Sequence, residues 1–205
     1  MTHHPSAATM LAHAAGRLPV AHGIVLRTHL ATCPACRAEA ALAAAMGGEM
    51  LADLPPAELA PGSLDRMLAR LEAPVPAPPP SRPVPTTVEQ LATGRWWWIG
   101  PGMRLMPLLR RGADDARLDL IKVAPGRRLP AHGHTGTELT CVLRGAFGDE
   151  TGEYLAGDVA EGDPALEHEP VALPVGEDCV CLIATQGRLR AQGWLARLVQ
   201  PLVGV

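Results

Sequence analysis

His29-Leu30-Ala31-Thr32-Cys33-Pro34-Ala35-Cys36 sets one imidazole and two thiols within eight residues. The reading of these three side chains decides the fold of the amino-terminal third. A closed zinc site takes four nitrogen or sulfur donors in a tetrahedron. His29 and Cys33 stand four residues apart and share one face of a helix. Pro34 suits the first position of a following helix, where its missing N–H costs nothing. Cys33 then caps that helix and Cys36 lies in its first turn, where amide N–H groups and the helix dipole favour a thiolate. His4, rather than its neighbour His3, is expected as the fourth donor. Two thiolates offset the charge of a divalent ion, which suits a site closed to water.

Two other readings compete for this stretch. A Cys-x-x-Cys pair can be a redox couple, although that motif usually sits beside a βαβ pattern and this region reads helical. Cysteine is also a common residue of unmetallated cores.

Working outward, four short helices are expected in residues 1–72. Ser6 caps one that ends before Gly16. Val20, Ile24 and Leu30 mark the apolar face of a second, ending near Thr32. Pro34 opens a third, expected to stop at Gly47-Gly48. Ser63 caps a fourth, in which Leu64, Met67, Leu68 and Leu71 follow the helical period. So small a helical unit is marginal without a metal or a partner. Structural zinc contributes on the order of 10 kcal/mol of folding free energy. The fourth helix either wraps a partner or packs on the first three.

Residues 73–85 (Ala-Pro-Val-Pro-Ala-Pro-Pro-Pro-Ser-Arg-Pro-Val-Pro) are incompatible with a helix or an inner strand and read as a semi-rigid linker. From residue 86 the signal turns to strands. Arg117–Val123, Glu138–Arg144 and Cys179–Thr185 are strand-like runs, and Gly148-Asp149, Thr151-Gly152 and Gly157-Asp158 are turn signals. Short strands with regular turns indicate an all-β sandwich or jelly roll. Trp96-Trp97-Trp98 opens this half, and on a strand at least one ring should meet another surface.

His132-Gly133-His134 directs two imidazoles to one side of a strand, because side chains two apart share a face. Glu138 starts the return strand and His168 arrives from a later one. This N₃O set suits zinc, iron, manganese, nickel or copper and usually leaves coordination positions open. Spacing does not choose among these metals. Cys179 and Cys181 share a face of their strand, open to oxidation or buried and inert. Cys141 should face away from Glu138.

The chain has 205 residues, with 18 Lys+Arg against 21 Asp+Glu. In residues 1–72, five arginines meet six carboxylates, so no basic footprint for nucleic acid exists. No apolar run reaches the ~18 residues that suggest a membrane span, and no charged n-region followed by an apolar stretch opens the chain. Five cysteines, two at zinc spacing, fit a reducing cytoplasm better than a disulfide scaffold.

Gly126-x5-His132-x-His134-x3-Glu138-x6-Gly145 resembles the first cupin motif at every fixed position. Gly157 to His168, with Pro164, resembles the second, although Ala172 stands where the family often has Asn. Together with the His-x3-Cys-x2-Cys module, the Pro-rich linker, the Asp178-Cys179-Val180-Cys181 strand and the Val199-Gln200-Pro201 tail, the chain resembles the ChrR family of soluble zinc-binding anti-sigma factors.

That resemblance implies a multi-domain α + β protein. A zinc-bound helical bundle (1–72) and a linker (73–85) would precede an all-β cupin barrel (86–205). It implies zinc on His4, His29, Cys33 and Cys36, and zinc or another divalent transition metal on His132, His134, Glu138 and His168. The partner it implies is an extracytoplasmic-function sigma factor, held 1:1 in the cytoplasm away from core RNA polymerase. Release would follow singlet oxygen or an organic hydroperoxide sensed by the cupin, with no catalysis. The alternative is a metal-dependent cupin enzyme, a dioxygenase or isomerase, with a helical assembly module.

Overall fold

The computed structural model describes residues 1–72 and 88–191. The expected linker and the Val199-Gln200-Pro201 tail lie outside them. The described helices are α1 (Ala7–Ala14), α2 (Val20–Thr32), α3 (Pro34–Ala52), α4 (Ser63–Glu72) and the single-turn α5 (Val88–Leu91). Ser6 caps α1, its hydroxyl accepting from the Thr9 N–H at 3.3 Å. Cys33, extended at φ −105° and ψ 103°, ends α2 and opens α3, with Pro34 at the first helical position. The expected stop at Gly47-Gly48 is wrong, because α3 runs 19 residues to Ala52. Each glycine costs a helix only about 1 kcal/mol relative to alanine, too little to break one with good helix formers on both sides.

The strands are β1 (Trp97–Gly100), β2 (Met103–Leu109), β3 (Ala116–Val123), β4 (His132–His134), β5 (Glu138–Arg144), β6 (Ala146–Asp149), β7 (Gly152–Leu155), β8 (Val159–Gly162), β9 (Glu167–His168), β10 (Val171–Ala172), β11 (Cys179–Gln186) and β12 (Leu189–Ala191). A six-stranded sheet runs β1-β2-β3-β11-β5-β8, faced by two three-stranded sheets, β10-β6-β7 and β12-β4-β9. The three strands expected from sequence, β3, β11 and β5, lie side by side at the centre of the large sheet, antiparallel, with Cys181 opposite Ile121 and Val142.

Strand alternation gives this sheet two different faces. Leu118, Leu120, Leu139, Cys141, Leu182 and Ala184 turn outward into one hydrophobic core. Asp119, Ile121, Glu138, Thr140, Cys179, Cys181, Ile183 and Thr185 turn inward and line a cavity. Helix α2 covers the outer face. Its Ile24, Val25 and Leu26 are fully buried in the same core as Leu118 and Leu182. Met10, Cys33 and Cys36 also belong to it, so the helices and the barrel share one apolar interior.

Within Trp96-Trp97-Trp98, Trp96 packs on this core. Trp97 and Trp98, on the edge strand β1, remain 61% and 72% exposed. Helix α4 does not bury its apolar stripe either: Leu64, Met67 and Leu71 are 66%, 63% and 78% exposed.

Ile24→Ala removes a fully buried side chain from the joint between helix and sheet. Its expected cost is about 2–5 kcal/mol. In urea denaturation this reads as a lower midpoint at unchanged slope.

Candidate metal centres

The helix junction and the amino-terminal segment bring the first cluster together. One donor atom from each of His4, His29, Cys33 and Cys36 lies within 4.8 Å of the others. Cys36 Sγ is 3.2 Å and Cys33 Sγ 3.5 Å from His4 Nδ1. A zinc tetrahedron with ordinary bond lengths has nitrogen–sulfur edges of about 3.5 Å. The Nδ1–H of His29 donates to the Gly157 carbonyl at 2.7 Å. Since a carbonyl only accepts, the lone pair of His29 sits on Nε2, which is buried and without a hydrogen-bond partner. Burial and a hydrogen bond with Cys33 push the Cys36 thiol up to about 12. These donors fit zinc, and they leave no open coordination position.

The second cluster forms where β4, β5 and β9 meet. His132, His134, Glu138 and His168 also hold one donor each within 4.8 Å of one another. His132 pairs with His168 in register across β4 and β9. The Nδ1–H of His132 donates to Pro130 O at 2.9 Å, and the Nδ1–H of His168 donates to Asp149 at 2.7 Å. Their Nε2 atoms then face each other at 3.1 Å. Two imidazole lone pairs at that distance repel unless a proton or a cation lies between them. Both ring nitrogens of His134 are buried without hydrogen bonds, and its Nε2 lies 3.3 Å from Glu138 Oε2.

Electrostatics prepares these groups for a cation. Burial raises the pKa of Glu138, but the closeness of His134 and of the other two imidazoles outweighs it, and the carboxylate is held below its usual range. Burial lowers His168, yet Asp149 and Glu138 leave its pKa raised overall. The donor set fits a divalent transition metal.

Every expected site residue is thus in one of the two clusters, but supporting residues were missed. The ring of His168 is oriented by Asp149, which the sequence marks only as part of a turn. Asp158, fully buried, is marked in the sequence only as part of a turn and of the second cupin-like stretch, and the buried Arg117–Asp119 ion pair at 2.6 Å carries no motif.

The second cluster opens on a cavity of ≈ 340 Å³. Its wall is largely apolar, with Ile99, Leu105, Ile121, Leu129, Phe147 and Ile183 among the lining residues, and His132, Glu138 and His168 border it too. Cys179 and Cys181 line it too, with sulfurs 3.6 Å apart. Their hydrogen bond lowers the Cys179 thiol against burial and raises Cys181 well above the ordinary range. Cys141 faces the opposite side, in the core under α2, as expected.

An antiparallel barrel with three histidines and a glutamate at its mouth is a cupin, here carrying a helical His/Cys junction. The ChrR Cupin-like domain family matches residues 85–189. The anti-sigma-E factor ChrR of Cereibacter sphaeroides is 41% identical over 208 residues, spanning 97% of this chain and 96% of that protein. The crystal structure of Rhodobacter sphaeroides SigE in complex with the anti-sigma ChrR matches with a TM-score of 0.73 at 39% identity. The match covers 90% of this chain and 98% of that one. The chain belongs to the ChrR family of anti-sigma factors.

Because the free Cys36 thiol titrates at about 12, it is protonated at neutral pH. Zinc uptake by the first cluster should therefore release at least one proton per ion, and affinity should fall as pH falls. Indicator-dye titration of the metal-free protein checks both. Asp149→Asn should weaken metal binding at the second cluster about 10–100-fold, read by chelator competition, without changing the first.

Proposed function

We propose that this chain is a cytoplasmic anti-sigma factor. Residues 1–72, knotted by zinc on His4, His29, Cys33 and Cys36, capture an extracytoplasmic-function sigma factor 1:1 and mask its surfaces for core RNA polymerase. Residues 73–85 act as a linker, and residues 86–205 form the sensor, with zinc or another divalent transition metal on His132, His134, Glu138 and His168. No helix among the described residues is long and apolar enough to cross a membrane. What carries the reading is the apolar stripe of α4, exposed along its length; Leu42, Met46 and Met50 on α3 are exposed as well. Large exposed apolar patches on a folded chain mark protein interaction sites, and the relative crystallised with SigE covers 98% of its length against this chain.

The cavity narrows the signal. Its wall is apolar, so an alkyl hydroperoxide fits it better than hydrogen peroxide. Cys179 is the more acidic of the two cavity thiols. Its thiolate attacks the distal peroxide oxygen, the O–O bond breaks, a sulfenic acid forms, and the leaving alkoxide takes a proton. The open second cluster also suits a metal-dependent dioxygenase or isomerase. Turnover of a small substrate, lost in His132→Ala, would select that second reading.

Co-expression with candidate sigma factors tests the first reading. The wild-type chain should copurify with one of them, and Cys33→Ser should abolish this. Met67→Asp and Leu71→Asp, both on the exposed face of α4, should cut retention at least ~10-fold while zinc content stays constant. Undiminished retention by the double variant would overturn it.

A further inference from the structure

The segment that carries His4 is hydrogen-bonded to the barrel on both sides of that residue. The Thr2 N–H and the His3 N–H donate to Asp158 Oδ1 at 2.8 Å and 3.2 Å. The Thr2 hydroxyl donates to Asp158 Oδ2 at 3.2 Å. The Val159 N–H donates to His3 O at 3.2 Å, and the Ser6 N–H donates to Glu161 at 2.9 Å. The His3 ring lies 4.5 Å from that of Tyr154.

Asp158 has no exposed surface. A buried carboxylate is costly unless its oxygens are satisfied. Three of its four hydrogen bonds come from Thr2 and His3, and only that from Leu155 N–H, at 3.0 Å, is local. The carboxylate is therefore compensated by the backbone that presents His4. One residue earlier, the Gly157 carbonyl fixes the His29 ring.

The strand that follows, β8, leads to the second cluster. Gly162 at its far end pairs with Glu138. A Cβ there would lie 3.2 Å from His134 Cε1 and 3.4 Å from Glu138 Cβ. At about 3.4 Å per residue, the four steps from Asp158 to Gly162 span roughly 14 Å.

We propose that the barrel completes the zinc knot: Asp158 holds the His4 segment and Gly157 orients His29, making β8 the element through which the cupin half governs zinc retention by the helical half. Asp158 is a positioning residue that touches no metal itself. This rests on the zinc reading of the first cluster and goes beyond it, because it makes the knot a joint between the halves.

The test uses the full-length chain loaded with cobalt(II), whose thiolate charge-transfer absorption reports on Cys33 and Cys36. Chelator competition is measured for wild type, Asp158→Ala, His4→Ala and the double variant. Asp158→Ala should weaken cobalt binding at the knot about 10–100-fold. If Asp158 acts through His4, the double variant should lose no more than His4→Ala alone. Asp158→Asn, which keeps shape and one acceptor oxygen, should show an intermediate loss and serves if the alanine variant fails to fold. Unchanged affinity in either Asp158 variant, or additive losses, would overturn the proposal. Absence of any thiolate band in the wild type would instead overturn the zinc reading beneath it.

Discussion

Lone pairs that converge in a buried space demand a positive charge, and this structure gathers them twice. His29 Nε2 and both ring nitrogens of His134 are buried with no hydrogen-bond partner, and the Nε2 atoms of His132 and His168 confront each other. Leaving one such atom unsatisfied costs about 1–3 kcal/mol. Neither cluster is therefore an economical apolar core in the metal-free chain. A cation turns each of these costs into a bond. At the helix junction the gain is structural, because the ion would tie the amino-terminal segment to the α2–α3 junction. At the barrel mouth the donors border a cavity, and the gain comes with access for a small molecule.

The period of the β-strand sets both the core and the cavity. On β3, β5 and β11, alternate residues serve opposite duties: Leu118, Leu139 and Leu182 bind α2, while Asp119, Glu138 and Cys181 line the cavity. A slip of one residue in register would exchange these sets, placing carboxylates under a helix and leucines among the metal donors. The hydrophobic seal beneath α2 thus holds Glu138 in place. The same alternation explains why Cys141 lies in the core while Cys179 and Cys181 reach the cavity, although β5 and β11 are neighbours.

What could be read from sequence was what obeys a local rule. The His/Cys spacing, Pro34 at a helix start, Ser6 as a cap and the strands β3, β5 and β11 all follow from contacts a few residues apart. So did six of the eight candidate donors, which are i+2, i+3 or i+4 neighbours, while His4 and His168 come from farther along the chain. Partners fixed by tertiary structure left no such trace. Asp149 finds His168 nineteen residues away and Asp158 finds Thr2 across 156, and no periodicity marks either carboxylate. The error at Gly47-Gly48 has a different origin: intrinsic propensity is a weak term, and two glycines did not outweigh a helix already nucleated at Pro34. Trp97 and Trp98 stay exposed because β1 is an edge strand with no described neighbour beyond it.

Helices α2 and α4 show how one chain separates holding from binding. Seven of the thirteen residues of α2 are buried, Ala21 to Leu26 without a break and then His29. No single apolar face stands out, because the barrel takes one side of the helix and the knot takes another. Any rearrangement of the barrel beneath such a helix is felt by the knot. Helix α4 is the reverse, with a one-sided apolar stripe at helical period and Leu64, Met67, Leu68 and Leu71 all exposed. It contributes nothing to the shared core. The proposed inhibitor would use this division: a buried helix pressed on the barrel, and an uncommitted one free to take a partner.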